Sequence, residues 1–415
     1  MTRSFLAVAT AVLFLQGCLR DKVTHSYTLL KPVYKAKEAV LSEINSQQPM
    51  PLVNPGKIYV YGNYLFVNEV NKGVHVIDNS NPSKPINKRF INIPGNVDIA
   101  IKGDALYADI FTDMVTLDIS DPLVAKVTDI ARDVFPERQY GNGFTADNSQ
   151  YIVDWVVKDT TVNYEDNNFN RCGNCGIWLT FSAQASESKS QSVSKITTGI
   201  AGSMARFSII NNYLYTVNIS QLFVFEISNQ FQPERINQVS AGWNIETIYP
   251  FQDKLFLGST TGMSIFDISN ATTPTYVSAV SHLRMCDPVI TDGKYAYITL
   301  RAGTDCGGTT NSQLQVLDVS NISNPVVLKT IEMSNPYGLG KLENLLWVCD
   351  GTAGIKVFDA SDPATLKLKQ TIDGLEAFDV IPADKNVIIS AKVGIVQFDA
   401  SNPDKIIELS RIQKQ

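Results

Sequence analysis

The chain has 415 residues, 44% hydrophobic and 18% charged, with 16 Tyr, 19 Phe, 25 Gly and 18 Pro, a balance that excludes a disordered chain and fits one rich in strands and turns. Lys and Arg number 35 against 41 Asp and Glu, for a formal net charge of −6, so no basic surface is offered to nucleic acid. Beyond the first residues no segment approaches the roughly 20 apolar residues that a membrane-spanning helix needs.

The N-terminus comes first. Met1-Thr2-Arg3-Ser4 carries one positive charge, and the apolar run Phe5–Leu15 follows it. That order and length are those of a secretory signal, too short for a stable transmembrane anchor. The run ends in Leu15-Gln16-Gly17-Cys18, which resembles the lipobox of bacterial lipoproteins. The resemblance implies cleavage after residue 17 and acylation of Cys18, which holds the mature chain to a membrane. Leu19 follows the cysteine where an Asp would signal retention at the inner membrane, so by the same resemblance the outer membrane is expected. Residues 18–54 then read as a tether and N-terminal segment. In it Tyr27–Leu30 has strand character and Lys35–Ile44 is a short amphipathic helix candidate, packed on the following domain or left as a flexible spacer.

From residue 55 onward the chain repeats itself. A β-rich run, an acid, a small or polar residue and often a proline recur as Val74-His75-Val76-Ile77-Asp78, Val115-Thr116-Leu117-Asp118, Phe223-Val224-Phe225-Glu226, Ser264-Ile265-Phe266-Asp267, Gln315-Val316-Leu317-Asp318, Lys356-Val357-Phe358-Asp359 and Val396-Gln397-Phe398-Asp399. Successive acids lie 40, 108, 41, 51, 41 and 40 residues apart, so the period is about 40 residues. The long gap suggests one degenerate copy, Gly176–Ser182, and a count of eight units. Each unit holds four short strands, the module of a propeller blade, and the expected fold is all-β, a β-propeller over residues 55–415. The recurring acid sits where a strand meets a turn, and an Asp there accepts hydrogen bonds from the turn's backbone.

These copies resemble the LVIVD repeat of bacterial secreted and surface proteins, and the resemblance implies a propeller-like architecture while implying little about activity.

The chemistry-bearing residues are few. Cys172-Gly173-Asn174-Cys175 lies in a polar insertion, and Cys286 and Cys306 flank the first two strands of unit six. All four are disulfide candidates in an exported chain, with redox chemistry or half a metal site as alternatives for the first pair. Cys349 reads as a buried small hydrophobe. His25, His75 and His282 are too scattered for a metal site or a Ser-His-Asp set. Turns such as Asp78-Asn79-Ser80-Asn81 carry the ligand types that Ca²⁺ takes, but turn chemistry accounts for them without a cofactor. At the start of successive first strands stand Lys57, Asp98, Arg206, Glu246, Asp287 and Asp379. First strands line a propeller's channel, so these six are expected to ring one mouth of it as a ligand-binding site or as a solvated rim.

The expected function is a membrane-anchored surface protein that binds protein or glycan without catalysis. Specificity would come from the long loops around Tyr164–Cys175 and Arg301–Asn311. The alternative is a hydrolase or lyase at the channel mouth with a divalent cation on Asp98, Glu246, Asp287 and Asp379, since propellers host many activities.

Overall fold

A computed structural model describes residues 24–136, 146–163, 200–281, 288–302 and 311–415. The chain opens with β1 (Thr24–Ala36), the single-turn helix α1 (Lys37–Leu41) and the short β2 (Asn45–Gln47). Blade one follows as β3 (Pro55–Tyr61), β4 (Tyr64–Glu69), β5 (Gly73–Asp78) and β6 (Ile86–Asn92), and blade two as β7 (Ile99–Lys102), β8 (Ala105–Ile110), β9 (Asp113–Asp118) and β10 (Lys126–Ala131). Two strands then interrupt the pattern, β11 (Gln150–Asn163) and β12 (Ile200–Ala201). Blade three is β13 (Phe207–Ile210), β14 (Tyr213–Val217), β15 (Gln221–Glu226) and β16 (Glu234–Ser240). Blade four is β17 (Ile245–Phe251), β18 (Lys254–Ser259), β19 (Gly262–Asp267) and β20 (Thr275–Ser281). Blade five is β21 (Val289–Thr291), β22 (Tyr295–Leu300), β23 (Gln313–Asp318) and β24 (Val326–Glu332). Blade six is β25 (Leu339–Leu342), β26 (Leu345–Cys349), β27 (Ile355–Asp359) and β28 (Lys367–Ile372), and blade seven is β29 (Ala377–Ala383), β30 (Asn386–Ala391), β31 (Gly394–Asp399) and β32 (Ile407–Gln413).

Every blade is an antiparallel meander, and the seven stand in a ring with their first strands innermost. The molecule is a β-propeller. The second strands are buried without alternation, as in Leu65-Phe66-Val67 and Leu346-Trp347-Val348-Cys349, because a blade is covered on both faces by its neighbours. In each blade the pairing of third and fourth strands slips by one residue just before the acid, between Val76 and Ile77 in blade one and between Gln397 and Phe398 in blade seven. Such a bulge increases the local twist of the outer strand.

The repeated acid staples its turn. Ser80 N–H donates to Asp78 at 3.1 Å, Ser120 to Asp118 at 2.8 Å, Ser269 to Asp267 at 2.7 Å, Ser320 to Asp318 at 2.8 Å, Ser361 to Asp359 at 3.0 Å and Ser401 to Asp399 at 2.8 Å. Glu226 takes only the Ser228 hydroxyl, at 2.9 Å. One residue is demanded at the opposite end of the third strand. Gly73 has φ +146°, and a Cβ there would lie 2.1 Å from the Ile91 carbonyl oxygen on β6; Gly394 repeats the approach, with the Ile412 carbonyl on β32.

The count of eight units is corrected to seven. Blades two and three are direct neighbours, with Lys102 Nζ 2.8 Å from Asn212 Oδ1 and the Tyr107 hydroxyl donating to the Gln230 carbonyl at 2.8 Å. No room remains between them for another blade. The segment Gly176–Ser182 lies outside the described residues, as do Cys18, Cys172, Cys175, Cys286 and Cys306. Blades seven and one close the ring through side chains, with Gln397 and Asn79 exchanging amide hydrogen bonds at 3.0 and 2.7 Å and Ser410 donating to the Pro82 carbonyl at 2.6 Å.

The N-terminal segment is packed on the propeller. β2 pairs with β6 as an extra outer strand on blade one, and the last residue of the chain donates its N–H to the Leu52 carbonyl at 2.7 Å. The helix is shorter than Lys35–Ile44 because Lys35 and Ala36 pair with Tyr151 and Gln150 at the foot of a β1–β11 ribbon.

Candidate functional site

Of the six channel residues, Lys57 lies within β3, Glu246 within β17 and Asp379 within β29, while Asp98 and Arg206 immediately precede β7 and β13. Asp287 is outside the described residues. The structure brings three of them into one cluster. Lys57 Nζ is 2.6 Å from Asp98 Oδ2, and the same oxygen accepts the backbone N–H of Arg206 at 2.5 Å. Asp98 Oδ1 accepts the Ile99 N–H at 2.8 Å. Lys57 is 5% exposed and Asp98 1%, so the pair belongs to the interior and the expectation of a solvated rim does not hold for it. Burial draws the Lys57 ammonium below its ordinary value and the Asp98 carboxyl above its own, and the attraction between them opposes both.

Behind Asp98 runs a polar chain that sequence reasoning did not single out. Asn68 Nδ2 donates to Asn96 Oδ1 at 2.6 Å, and Asn96 Nδ2 donates to Asp109 Oδ1 at 2.7 Å. The backbone N–H groups of Val97 and Asp98 donate to that same Asp109 oxygen at 2.7 and 2.9 Å. The network links blades one and two where first strand β7 begins and second strands β4 and β8 end. Its only sequence signal is an Asn or Asp in otherwise apolar strands, which is weak on its own.

What occupies the centre is the chain itself. β12 pairs with the inner edge of β3, Ile200 opposite Val60 and Ala201 opposite Tyr59. The next residues fan across the ring: Ser203 Oγ accepts the Leu339 N–H of blade six at 3.0 Å, the Ala205 carbonyl accepts the Ile248 N–H of blade four at 2.8 Å, and Arg206 reaches Asp98 beside blade two. Ser203, Met204 and Ala205 are at most 4% exposed. A segment that touches blades one, two, four and six must cross the axis, so the channel is filled at this level by residues 200–206.

A second buried cluster lies off the axis. Asp113, at the start of β9, receives Lys37 Nζ at 3.1 Å, Arg132 at 2.8 Å, the Tyr151 hydroxyl at 2.8 Å and the Asp133 N–H at 3.0 Å. Burial raises its pKa, but these donors outweigh burial and hold the carboxyl below its ordinary value. Lys37 also sits over the Tyr151 ring, 4.8 Å from its centre. The cluster fastens α1 and β11 to blade two.

The two faces of the ring differ. In a meander the connections from second to third strand and from fourth strand to the next blade share one face, and the acid turns share the other. The long connections from β10 to β13, from β20 to β21 and from β22 to β23 are all of the first kind. In another such connection is Trp243, which is 73% exposed on a loop pinned by the Ala241 N–H to the Ser220 carbonyl at 2.9 Å and by the Thr260 N–H to the Asn244 carbonyl at 3.1 Å. On the acid-turn side a cleft of about 360 Å³ lies between blades six and seven, lined by Glu343, Asp359, Lys369, Asp384 and Lys385 among others. Among the described residues no group of three or more His, Cys, Asp or Glu is arranged to hold a metal ion.

Residues 55–92 and 284–332 match the LVIVD repeat. Among curated proteins none matches the chain by sequence. The fold is similar to the computationally designed protein Ika8, at 9% identity over 89% of this chain and 92% of that one, with a TM-score of 0.51. It is also similar to BamB from Moraxella catarrhalis, at 7% identity over 81% of each chain, with a TM-score of 0.50. At such identities the likeness is one of fold.

Proposed function

We propose that this LVIVD-repeat propeller is a lipid-anchored protein of the bacterial cell envelope that binds a protein or glycan partner without transforming it. The observation that carries the reading is the division of the two faces. One face is built of stapled turns repeated from blade to blade, and the other takes the long connections from β10 to β13 and from β22 to β23 together with the exposed Trp243, on a loop pinned at both ends. Variable loops on a rigid scaffold are where binding specificity is carried, and exposed aromatic side chains are the usual anchors of an interface. Anchoring rests on the signal-like N-terminus and on Leu15-Gln16-Gly17-Cys18.

The rival reading asks Asp98 to ligate a divalent cation at an open mouth. Both its carboxylate oxygens are already engaged, by Lys57, Arg206 and Ile99, and residues 200–206 lie across the axis beside it. A catalytic cation there would have to displace an ammonium from a buried ion pair.

Two measurements test the proposal. Changing Cys18→Ser should move the protein from the membrane fraction to the soluble one with its circular dichroism unchanged, because losing about 0.8 kcal/mol for each buried CH₂ of the acyl chains removes the anchor and touches no core contact. Membrane association undiminished by the change rules out Cys18 as the anchor. Separately, Trp243→Ala combined with deletion of residues 303–310 should reduce capture of envelope components by the purified protein; capture at the unaltered level places the binding surface elsewhere.

A further inference from the structure

The β1–β11 ribbon is buried at its root and exposed where Val156 and Val157 stand. At the root, Tyr151 and Ile152 are 0% and 7% exposed, and Lys37 N–H donates to the Ser149 carbonyl at 2.9 Å. Farther out, the adjacent residues Val156 and Val157 are 52% and 64% exposed. Neighbouring side chains on a strand point to opposite faces, so at Val156 and Val157 neither face of the ribbon rests on the propeller. The pairing nevertheless continues from Lys31 opposite Val156 to Thr24 opposite Asn163, eight pairs or about 27 Å at about 3.4 Å per residue. A two-stranded ribbon with both faces in water is marginal. Apolar side chains on both faces imply that something covers it.

The chain itself says what lies nearby. Five residues, 19–23, separate Cys18 from Thr24, so six steps give a reach of at most about 22 Å. Val33, 37% exposed, and the exposed Lys31 stand on the ribbon with Val156 and Val157, and Tyr34 and Trp155 lie at its inner end. Valine with amphipathic aromatic and cationic side chains is the mixture that a bilayer interface accepts. We infer that the outer half of the β1–β11 ribbon is a membrane-contact element, lying against the lipid surface to which the N-terminus is fixed. The inference rests on the lipid-anchored reading of Cys18 and adds to it a second point of contact, one that fixes how the propeller is held.

The test uses the full chain on vesicles of phosphatidylethanolamine and phosphatidylglycerol, anchored either by its own acyl groups or, with Cys18→Ser, by an N-terminal histidine tag on a nickel-chelating lipid. An environment-sensitive fluorophore is carried on a non-natural side chain at position 157 and, as control, at position 407, where Ile407 is 45% exposed on the outer strand of blade seven. At 157 emission should shift to the blue and be quenched by doxyl-labelled lipid, and at 407 it should do neither. With the fluorophore at position 33, the pair Val156→Thr and Val157→Thr keeps β-branched residues in the strand and should cut the quenching severalfold. A solvent-like signal at 157 in both anchored forms overturns the inference. Equal protection without vesicles overturns it too, and points to a second copy of the chain or another protein as the cover. Failure of the native form to float defeats the acylation reading alone, because the chelated form still reports on the ribbon.

Discussion

The acids at the rim of the ring and the acids in its interior are the same residue type set to opposite purposes. Asp78, Asp118, Asp267, Asp318, Asp359 and Asp399 serve partners two residues away, and hydrogen bonds from the following Ser hold each carboxyl below its ordinary value. Asp98 and Asp113 serve partners 41 and 76 residues away, Lys57 and Lys37. A local contact can be copied with every duplication of a blade. A contact between segments far apart in the chain is not copied in that way: Lys57–Asp98 joins two blades and Lys37–Asp113 joins the N-terminal segment to a blade.

The largest expected effect therefore lies inside. Asp113→Ala strands Lys37, 2% exposed, without its carboxylate, and removing one partner of a buried pair costs about 3–5 kcal/mol. Denaturant unfolding should show this loss, and limited proteolysis should cut first between residues 24 and 54. The axial pair sharpens the comparison. Asp98→Ala should cost a similar amount, whereas Lys57→Met with Asp98→Leu should recover only the part due to the stranded ammonium, because the N–H groups of Arg206 and Ile99 still lose their acceptor. A double variant no more stable than Asp98→Ala alone would assign the cost to the backbone N–H groups that Asp98 accepts rather than to the ammonium.

Next in size are the glycines. Gly73→Ala pushes a Cβ to 2.1 Å from the Ile91 carbonyl, while Gly62, also at positive φ, has nothing within 4 Å of such a Cβ. The left-handed conformation alone costs Ala about 1–2 kcal/mol. Gly62→Ala should lose no more than that, and Gly73→Ala clearly more, because β5 and β6 must also part. Equal midpoints in urea for the two variants would show that the sheet gives way without cost.

The contrast also explains what was legible in the sequence. The blades were, since a strand–acid–turn pattern with a 40-residue period is a local signal repeated seven times. The eighth unit was not real, because the 108-residue gap holds a ribbon strand and a segment that enters the channel. The strand character of Tyr27–Leu30 was legible too, but its partner β11 lies more than 120 residues away and nothing local announces it. Of the channel residues, position in the first strands followed from counting. That Lys57 and Asp98 are sealed in by residues 200–206 did not, for Ser203, Met204 and Ala205 carry no pattern at all. Asp379, on the inner strand β29, is buried as well, and counting positions did not announce that either.

The smallest effect is expected at the rim, where it tests whether the staples act through charge. Asp267 holds the Ser269 hydroxyl and N–H at 2.5 and 2.7 Å, with Lys254 at 3.1 Å, and these lower its pKa to about 2. In the unfolded chain an Asp titrates near 3.9. A carboxyl lowered on folding stabilises the native state above its unfolded value, and that stability is lost as pH falls through the folded one. The staple should thus be fully effective above about pH 4 and fade toward pH 2. Asp267→Ala should cost about 1 kcal/mol at neutral pH, the scale of a net hydrogen bond, with the side chain's partial exposure keeping the Lys254 contribution small. The gap between native and variant chains, followed by urea midpoints from pH 7 to pH 2, should narrow across that window. A gap that stays constant would mean that the carboxyl works through shape alone, and Asp267→Asn should then be as stable as the native chain at every pH.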